Sequence, residues 1–86
     1  MSELALVRVT VRYDSRLQEI TGESEHLVVI SEGAVFLFLL TCIFSEFPEI
    51  EQQYAPGMLS FTVNGLQPSV HSQLFDGDEI LFEAAA

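Results

Sequence analysis

The side chains able to take part in chemistry are few and lie far apart in the 86 residues. Cys42 is the single cysteine, and His26 and His71 have no metal-ligand spacing to it or to each other. A nucleophilic thiol needs a nearby base or a positive field, and neither is evident around Cys42. We therefore expect Cys42 to be a small apolar residue of a helix and both histidines to lie on the surface. No metal or cofactor is predicted.

The acidic run Asp76-Gly77-Asp78-Glu79 is the second place where ligand chemistry is conceivable. Calcium loops supply oxygen ligands at regular spacing over about a dozen residues, and no such loop follows this run. Asp and Gly are the residues that tight turns favour, so we predict a turn, with recognition by a basic partner surface as the alternative. The sequence contains no phosphate-binding Gly-rich loop and no nucleophile elbow, so we do not expect an enzyme.

The charge distribution restricts the class of partner. The sequence has thirteen acidic residues and only three basic ones, Arg8, Arg12 and Arg16, with no lysine. Its formal net charge is therefore −10. Such a surface repels nucleic acid and anionic lipid, so a basic protein surface is the better partner. The 49% hydrophobic content suffices for one folded domain over residues 1–86. A lone cysteine and no apolar run near the ~20 residues of a spanning helix predict a cytoplasmic protein.

Alternation of apolar and polar residues, a run rich in β-branched residues at 26–30 and the turn signals between these stretches predict four strands and a weaker fifth. The clear stretches are residues 4–13, 26–30, 59–63 and 79–83. Asn64-Gly65 is a strong hairpin signal, and the fifth, weak strand is expected in the loop that follows it. In the first strand Arg8, Thr10 and Arg12 have the parity that leaves the core.

Residues 34–47 predict the main helix, with Ser31 as its N-cap and Pro48 and the polar residues after it as its end. At 100° per residue one broad face is apolar. This face contains Phe36, Leu39, Leu40, Ile43, Phe44 and Phe47. Phe38 and Cys42 fall on the opposite side, and an outward Phe38 suggests a contact surface for a partner or for a second copy of the chain.

The order strand, strand, helix, strand, weak strand, strand predicts an α+β fold of the β-grasp (ubiquitin-like) type. A mixed sheet of four to five strands would carry one main helix across one face. We expect the last strand to lie parallel to the first, because the intervening segment is long enough for the crossover that parallel pairing requires.

With this order of elements, the sequence resembles the MoaD/ThiS family of small sulfur carriers, which includes the small subunit of molybdopterin synthase and the thiamine-pathway carrier. The resemblance rests on five stretches in the family's order. They are Val9-Thr-Val-Arg-Tyr13, Arg16-Leu-Gln-Glu-Ile-Thr-Gly22, Phe47-Pro-Glu49, Phe61-Thr-Val-Asn-Gly65 and Leu74-Phe-Asp-Gly-Asp-Glu-Ile80. It implies docking on a larger protein, either an activating enzyme or a synthase large subunit.

The resemblance also implies a reaction at the C-terminus. Family members end in Gly-Gly, and their terminal carboxylate is adenylated by an activating enzyme and converted to a thiocarboxylate that donates sulfur. The present sequence ends Phe82-Glu-Ala-Ala-Ala86, and each alanine carries a Cβ that a narrow channel would meet. We therefore expect a non-catalytic binding module, with a genuine sulfur carrier acting through Ala86 as the alternative and a self-associating structural domain as the third hypothesis.

The predicted partner-binding residues lie in three places. Arg8, Arg12, Leu81 and Glu83 belong to the sheet surface and last strand, which in the resembled family dock together with the tail. Phe38 represents the outer side of the helix, and Ala86 represents the tail. The alternative for the sheet surface is an ordinary solvated face with cross-strand ion pairs.

Overall fold

The computed structural model describes residues 5–84, and these form one mixed sheet packed against helices. The strands are β1 (Leu6–Tyr13), β2 (Glu25–Ser31), β3 (Leu59–Val63) and β4 (Glu79–Ala84). The helices are α1 (Ser15–Thr21), α2 (Phe36–Glu46) and α3 (Pro48–Gln53), and a single 3-10 turn spans Pro56–Met58. The strand order is β2-β1-β4-β3.

The two central strands are parallel, as the sequence predicted. Strand β4 pairs with β1 in a register that places Glu79 beside Thr10 and Phe82 beside Tyr13. Strand β2 is antiparallel to β1, and β3 is antiparallel to β4. The prediction of an α+β fold of the β-grasp type is confirmed. Of the four to five strands that were predicted, the sheet contains four within residues 5–84. The loop expected to hold a weak strand contributes only single bridges, Val63 with Leu66 and Val35 with Gln73.

The core lies between the sheet and α2. Alternate residues of β1 and β4 point into it, and α2 adds three side chains that are almost fully buried. The buried set is Val7, Val9, Val11, Tyr13, Leu17, Ile30, Phe36, Leu39, Ile43, Ile50, Leu74, Ile80 and Phe82. Phe61 meets Phe82 edge-on, with ring centroids 4.8 Å apart, and the half-buried Leu40, Phe44 and Phe47 complete the predicted apolar face.

The start of the main helix differs from the prediction, because Ser31 is the last residue of β2 and caps nothing. Val35 occupies the N-cap position without a side-chain hydrogen bond. The first amides of α2 instead donate to loop carbonyls from far along the chain, Phe36 N–H to Ser72 (2.8 Å) and Leu37 N–H to Val70 (3.0 Å). A tertiary contact therefore satisfies the donors that a local cap normally serves.

The main helix ends where it was predicted to end, since α2 stops at Glu46, just before Phe47 and Pro48. The polar run after Pro48 needs a correction, because Pro48 begins a new helix, α3, where its fixed φ and missing N–H suit the first turn. A further helix, α1, occupies Ser15–Thr21, where the sequence predicted only an interruption of the strand pattern. Asp14 caps it by accepting from Leu17 N–H at 2.9 Å, and Gly22 ends it in the left-handed conformation (φ 75°).

Candidate protein-docking face

The outer face of the sheet is the side that no helix covers within residues 5–84. Arg8 and Arg12 of β1 lie on it, as predicted, with Leu81 of β4 half-buried and Glu83 exposed. The antiparallel register adds two β2 side chains, since Arg8 is opposite Val29 and Thr10 is opposite Leu27. Strands β1 and β4 thus bring together the four predicted sheet residues on one surface.

Arg12 is held by carboxylates from both neighbouring strands. Its Nη2 lies 2.8 Å from Oε1 of Glu79, and its Nε lies 3.3 Å from Oε2 of Glu25. All three side chains are more than half exposed, so water screens these pairs and they add little stability. Their main effect is to orient the guanidinium above the middle of the sheet. The expected cross-strand pairing with acids is therefore present at Arg12.

Arg8 differs from Arg12 because its side chain has no ionic partner among residues 5–84. Its backbone is nevertheless firmly held. Asp76 Oδ1 accepts from Arg8 N–H at 2.8 Å, and Gly77 N–H donates to the Arg8 carbonyl at 2.8 Å. The Asp76-Gly77-Asp78 turn thus anchors the strand that presents Arg8 and leaves its charge available.

The hydrogen bonds of this turn support its structural interpretation. Asp78 accepts from Asn64 Nδ2 and from Phe75 N–H, each at 2.8 Å. Asn64 Oδ1 in turn accepts from Glu79 N–H, at 3.0 Å. These bonds explain the acidic run without a bound cation. Within residues 5–84 no three His, Cys, Asp or Glu side chains are placed to hold a metal ion.

Exposed aliphatic side chains on the same face were missed by the sequence reasoning. Leu6 and Leu27 are 58% and 59% exposed, and Val29 is 50% exposed. Every residue from Leu27 to Ile30 is aliphatic, so alternation cannot tell which pair faces the core. Only the pairing with β1 shows that Leu27 and Val29 point outward. The outer face is thus aliphatic on the β2 side and charged near the middle.

The end of β4 is tied to α1 by the same Asp14 that caps this helix. Its Oδ2 accepts from Ala84 N–H at 2.7 Å, and Asp14 N–H donates to the carbonyl of Phe82 at 3.1 Å. These two bonds set the position of the last described residues beside β1. Ala86 itself lies outside the described residues. The capping signal of Asp14 was readable in the sequence, but its second bond spans seventy positions.

Phe38 and Cys42 of α2 lie away from the outer face of the sheet. Phe38 is 48% exposed on the far side of the helix, where the sequence placed it, with the neighbouring Leu37 exposed to a similar extent. Cys42 is half-buried in the same helix, and its thiol forms no hydrogen bond with any of residues 5–84. The structure therefore separates Phe38 from the four sheet residues, and the two form different surfaces.

A buried aromatic cluster at the end of β1 corrects one histidine prediction. His71 is exposed, but the side chain of His26 is only 15% exposed and packs 5.5 Å from the Tyr13 ring and 6.3 Å from Phe47. Its Nδ1 is 3.2 Å from a Glu23 oxygen without hydrogen-bond geometry. The Tyr13 hydroxyl is buried without a partner among residues 5–84, and desolvation, with smaller effects of Glu46 and Glu23, raises its pKa.

None of the helices within residues 5–84 is long and apolar enough to cross a bilayer. No protein-family model and no curated protein sequence matches the chain.

Solved structures match nearly the whole chain. A putative molybdopterin converting factor, subunit 1, from Pyrococcus furiosus is 25% identical, with a TM-score of 0.80 over 93% of this chain and 99% of that one. Small archaeal modifier protein 1 of Haloferax volcanii is 15% identical, with a TM-score of 0.79 and the same coverage. Caldiarchaeum subterraneum ubiquitin is 11% identical, with a TM-score of 0.63 over 95% and 96% of the two chains. By fold and by the first likeness, the chain is a small MoaD/ThiS-like, ubiquitin-like protein.

Proposed function

We propose that this chain is a single-domain, cytoplasmic, non-catalytic module that docks on a larger protein through the outer face of its sheet. One observation carries the proposal: among residues 5–84, three exposed aliphatic side chains and an arginine without an ionic partner share a face that no element covers. Aliphatic contact supplies affinity at such surfaces, and charges fix orientation. The partner would be related to an activating enzyme or a synthase large subunit.

Arg8, Arg12, Leu81 and Glu83 are assigned to this interface together with Leu27 and Val29. Because Arg12 is already paired, its loss would free Glu25 and Glu79 as well as remove a cation. Arg8 is the cation available to an acidic group of the partner. The partner surface is otherwise expected to be basic, because the chain as a whole carries a net charge of −10.

The test is recovery of the partner with matched variants. We expect wild-type protein, fixed to a resin, to retain one stoichiometric partner from extract of the native cell, to be identified by mass spectrometry. Val29→Glu places a charge in the aliphatic part of the face and should weaken binding of that purified partner at least tenfold. Phe38→Glu, on the far side of α2, is the control. Equal affinity of wild type and Val29→Glu would contradict the proposal.

A genuine sulfur carrier is the second candidate, and the likeness to the Pyrococcus furiosus molybdopterin converting factor subunit favours it. In that case the Ala86 carboxylate would attack the α-phosphorus of ATP, releasing pyrophosphate. Hydrosulfide, as the sulfur donor, would then attack the acyl carbon of the adenylate and displace AMP, leaving a thiocarboxylate without a change of oxidation state. Intact-mass analysis after incubation with a MoaD- or ThiS-activating enzyme, ATP and a sulfur donor would detect the exchange of one oxygen for sulfur. An unchanged mass, with a known carrier converted in parallel, would exclude this candidate.

A further inference from the structure

Strand β3 forms one edge of the sheet within residues 5–84, and this edge has open backbone groups. Asn64 N–H donates to Glu79 on β4, and the Phe82 carbonyl faces β1, where it accepts from Asp14. In an antiparallel pair of strands, residue pairs that exchange hydrogen bonds alternate with pairs that do not. Asn64 and Glu79 are a bonded pair, so Phe61 and Phe82 are a non-bonded pair, and the N–H and C=O of Phe61 point away from β4. Val63 uses its outward groups in the turn to Leu66, but Phe61 has no corresponding backbone bond among the described residues.

The sequence of β3 does nothing to block this edge. Leu59-Ser-Phe-Thr-Val63 contains no charge and no proline, two of the devices that prevent an edge strand from pairing with another chain. The outward N–H and C=O of Phe61 have the geometry to form hydrogen bonds with the backbone of another extended segment.

A small apolar slot of about 140 Å³ lies directly beside this edge. It opens between α2, the end of α3 and β3, and its walls are Leu40, Phe44, Tyr54, Leu59 and Phe61, with Glu51 at the side. An apolar cavity of about 150 Å³ holds a benzene molecule, so the slot has room for one branched aliphatic side chain or one ring. Its position matches a side chain that projects, on the helix side, from a strand added next to β3.

The charge around the slot selects the flanking residues of such a strand. Among the described residues that line it, Glu51 alone is charged, and the three arginines of the chain belong to β1 and α1. A peptide with lysine or arginine on either side of its aliphatic residue would therefore be attracted, and an acidic one repelled.

We propose that the β3 edge is a second docking site, which binds an extended, basic peptide segment of a partner by strand addition. A leucine-type residue opposite Phe61 would exchange two backbone hydrogen bonds with it and place its side chain in the slot. This site is separate from the outer face of the sheet, so one copy of the chain can hold a partner on the outer face and a peptide at the edge.

The experiment uses the full chain and the synthetic peptide acetyl-Lys-Val-Thr-Leu-Thr-Val-Lys-amide, followed by NMR titration. We expect a dissociation constant on the order of 100 µM, typical of one small anchor and a few main-chain bonds. The Phe61 amide should gain protection from hydrogen exchange, while the Thr62 amide, already bonded to β4, should change little. Replacing the peptide's leucine with asparagine, or N-methylating it, should each weaken binding roughly tenfold or more.

Two protein variants complete the design. Glu51→Gln should weaken binding of the lysine-flanked peptide about threefold and improve binding of a glutamate-flanked version. Leu27→Glu, on the outer face, should leave peptide binding unchanged, so this result does not depend on the proposed function. Three outcomes would overturn the proposal. The first is no binding at 1 mM peptide, roughly tenfold the expected dissociation constant, and the second is chemical-shift changes confined to the outer face. The third is protection of the Phe61 amide that increases with protein concentration in the absence of peptide, because it would show that a second copy of the chain occupies the edge.

Discussion

The two faces of the sheet are built by the same strands and differ in what covers them. On the inner face the side chains of β1 are at most 6% exposed and pack against α1, α2 and their neighbours. On the outer face the alternate residues of β1 and β2 include three aliphatic side chains that are at least half exposed. Both faces are rich in aliphatic residues, so composition does not separate core from surface. The covering helix does, and the uncovered face is the one that we propose as the docking surface.

The largest expected difference comes from one substitution made on each side of this division. Leu39→Ala removes a fully buried side chain beneath the inner face and should lower the free energy of unfolding by about 2–5 kcal/mol. Leu27→Ala, on the outer face, should change it by no more than about 0.5 kcal/mol. Urea denaturation followed by circular dichroism measures both. Similar losses would show that the outer face is buried in the folded protein.

Asp14 ties α1 to the end of β4, and its removal should have the next largest effect. Asp14→Ala loses the α1 cap and the bond to Ala84, for about 1–3 kcal/mol of unfolding free energy. Asp14→Asn keeps an oxygen for Leu17 N–H but offers an amide group to Ala84. It should therefore cost less, while hydrogen exchange at Ala84 still accelerates. Unchanged exchange at Ala84 in both variants would contradict the assigned role of Asp14.

The buried Tyr13 hydroxyl on the inner face predicts a pH dependence at the alkaline end. Its pKa is raised in the folded state, so the folded protein holds a proton that the unfolded chain releases above its ordinary value of 10.0. The stability present below that pH should fall above it, by up to about 1.4 kcal/mol per pH unit from this group. Tyr13→Phe should flatten the decline without loss of stability at pH 7. Parallel curves for the two proteins would refute this.

Phe38 provides the smallest effect on the fold and a separate test of self-association. Because its side chain is about half exposed on the far side of α2, Phe38→Glu should leave the unfolding free energy within about 0.5 kcal/mol of wild type. If the chain forms dimers through this surface, native mass spectrometry over a range of concentrations should show them for wild type and lose them in the variant. Monomers throughout would end the self-association hypothesis.

The strands and their closure were predictable because their signals are local. Alternation in residues 4–13, 59–63 and 79–83 located β1, β3 and β4 to within about two residues. The length of the crossover implied the parallel pair at the centre of the sheet. The exposed position of Phe38 followed from helical periodicity alone.

The candidate docking face was only partly predictable. The parity of β1 placed Arg8 and Arg12 on it, since polar and apolar residues alternate there. In β2 residues 27–30 are all aliphatic, so their pattern does not show whether Leu27 and Val29 face the core or the solvent. His26 looked like a surface residue for a related reason, because nothing in its neighbours along the chain indicates the aromatic rings that cover it.

The sequence by itself determined the order of the four strands and the main helix, and the core residues of β1 and α2, because these depend on periodic patterns among near neighbours. Tertiary structure alone decided how α2 begins, since its first amides are satisfied by carbonyls at Val70 and Ser72. It also decided that Asp14 holds Ala84 and that, in the described part of the chain, no strand pairs with the outer edge of β3. Each of these depends on groups distant in sequence, and their contact exists only once the sheet has closed around the helix.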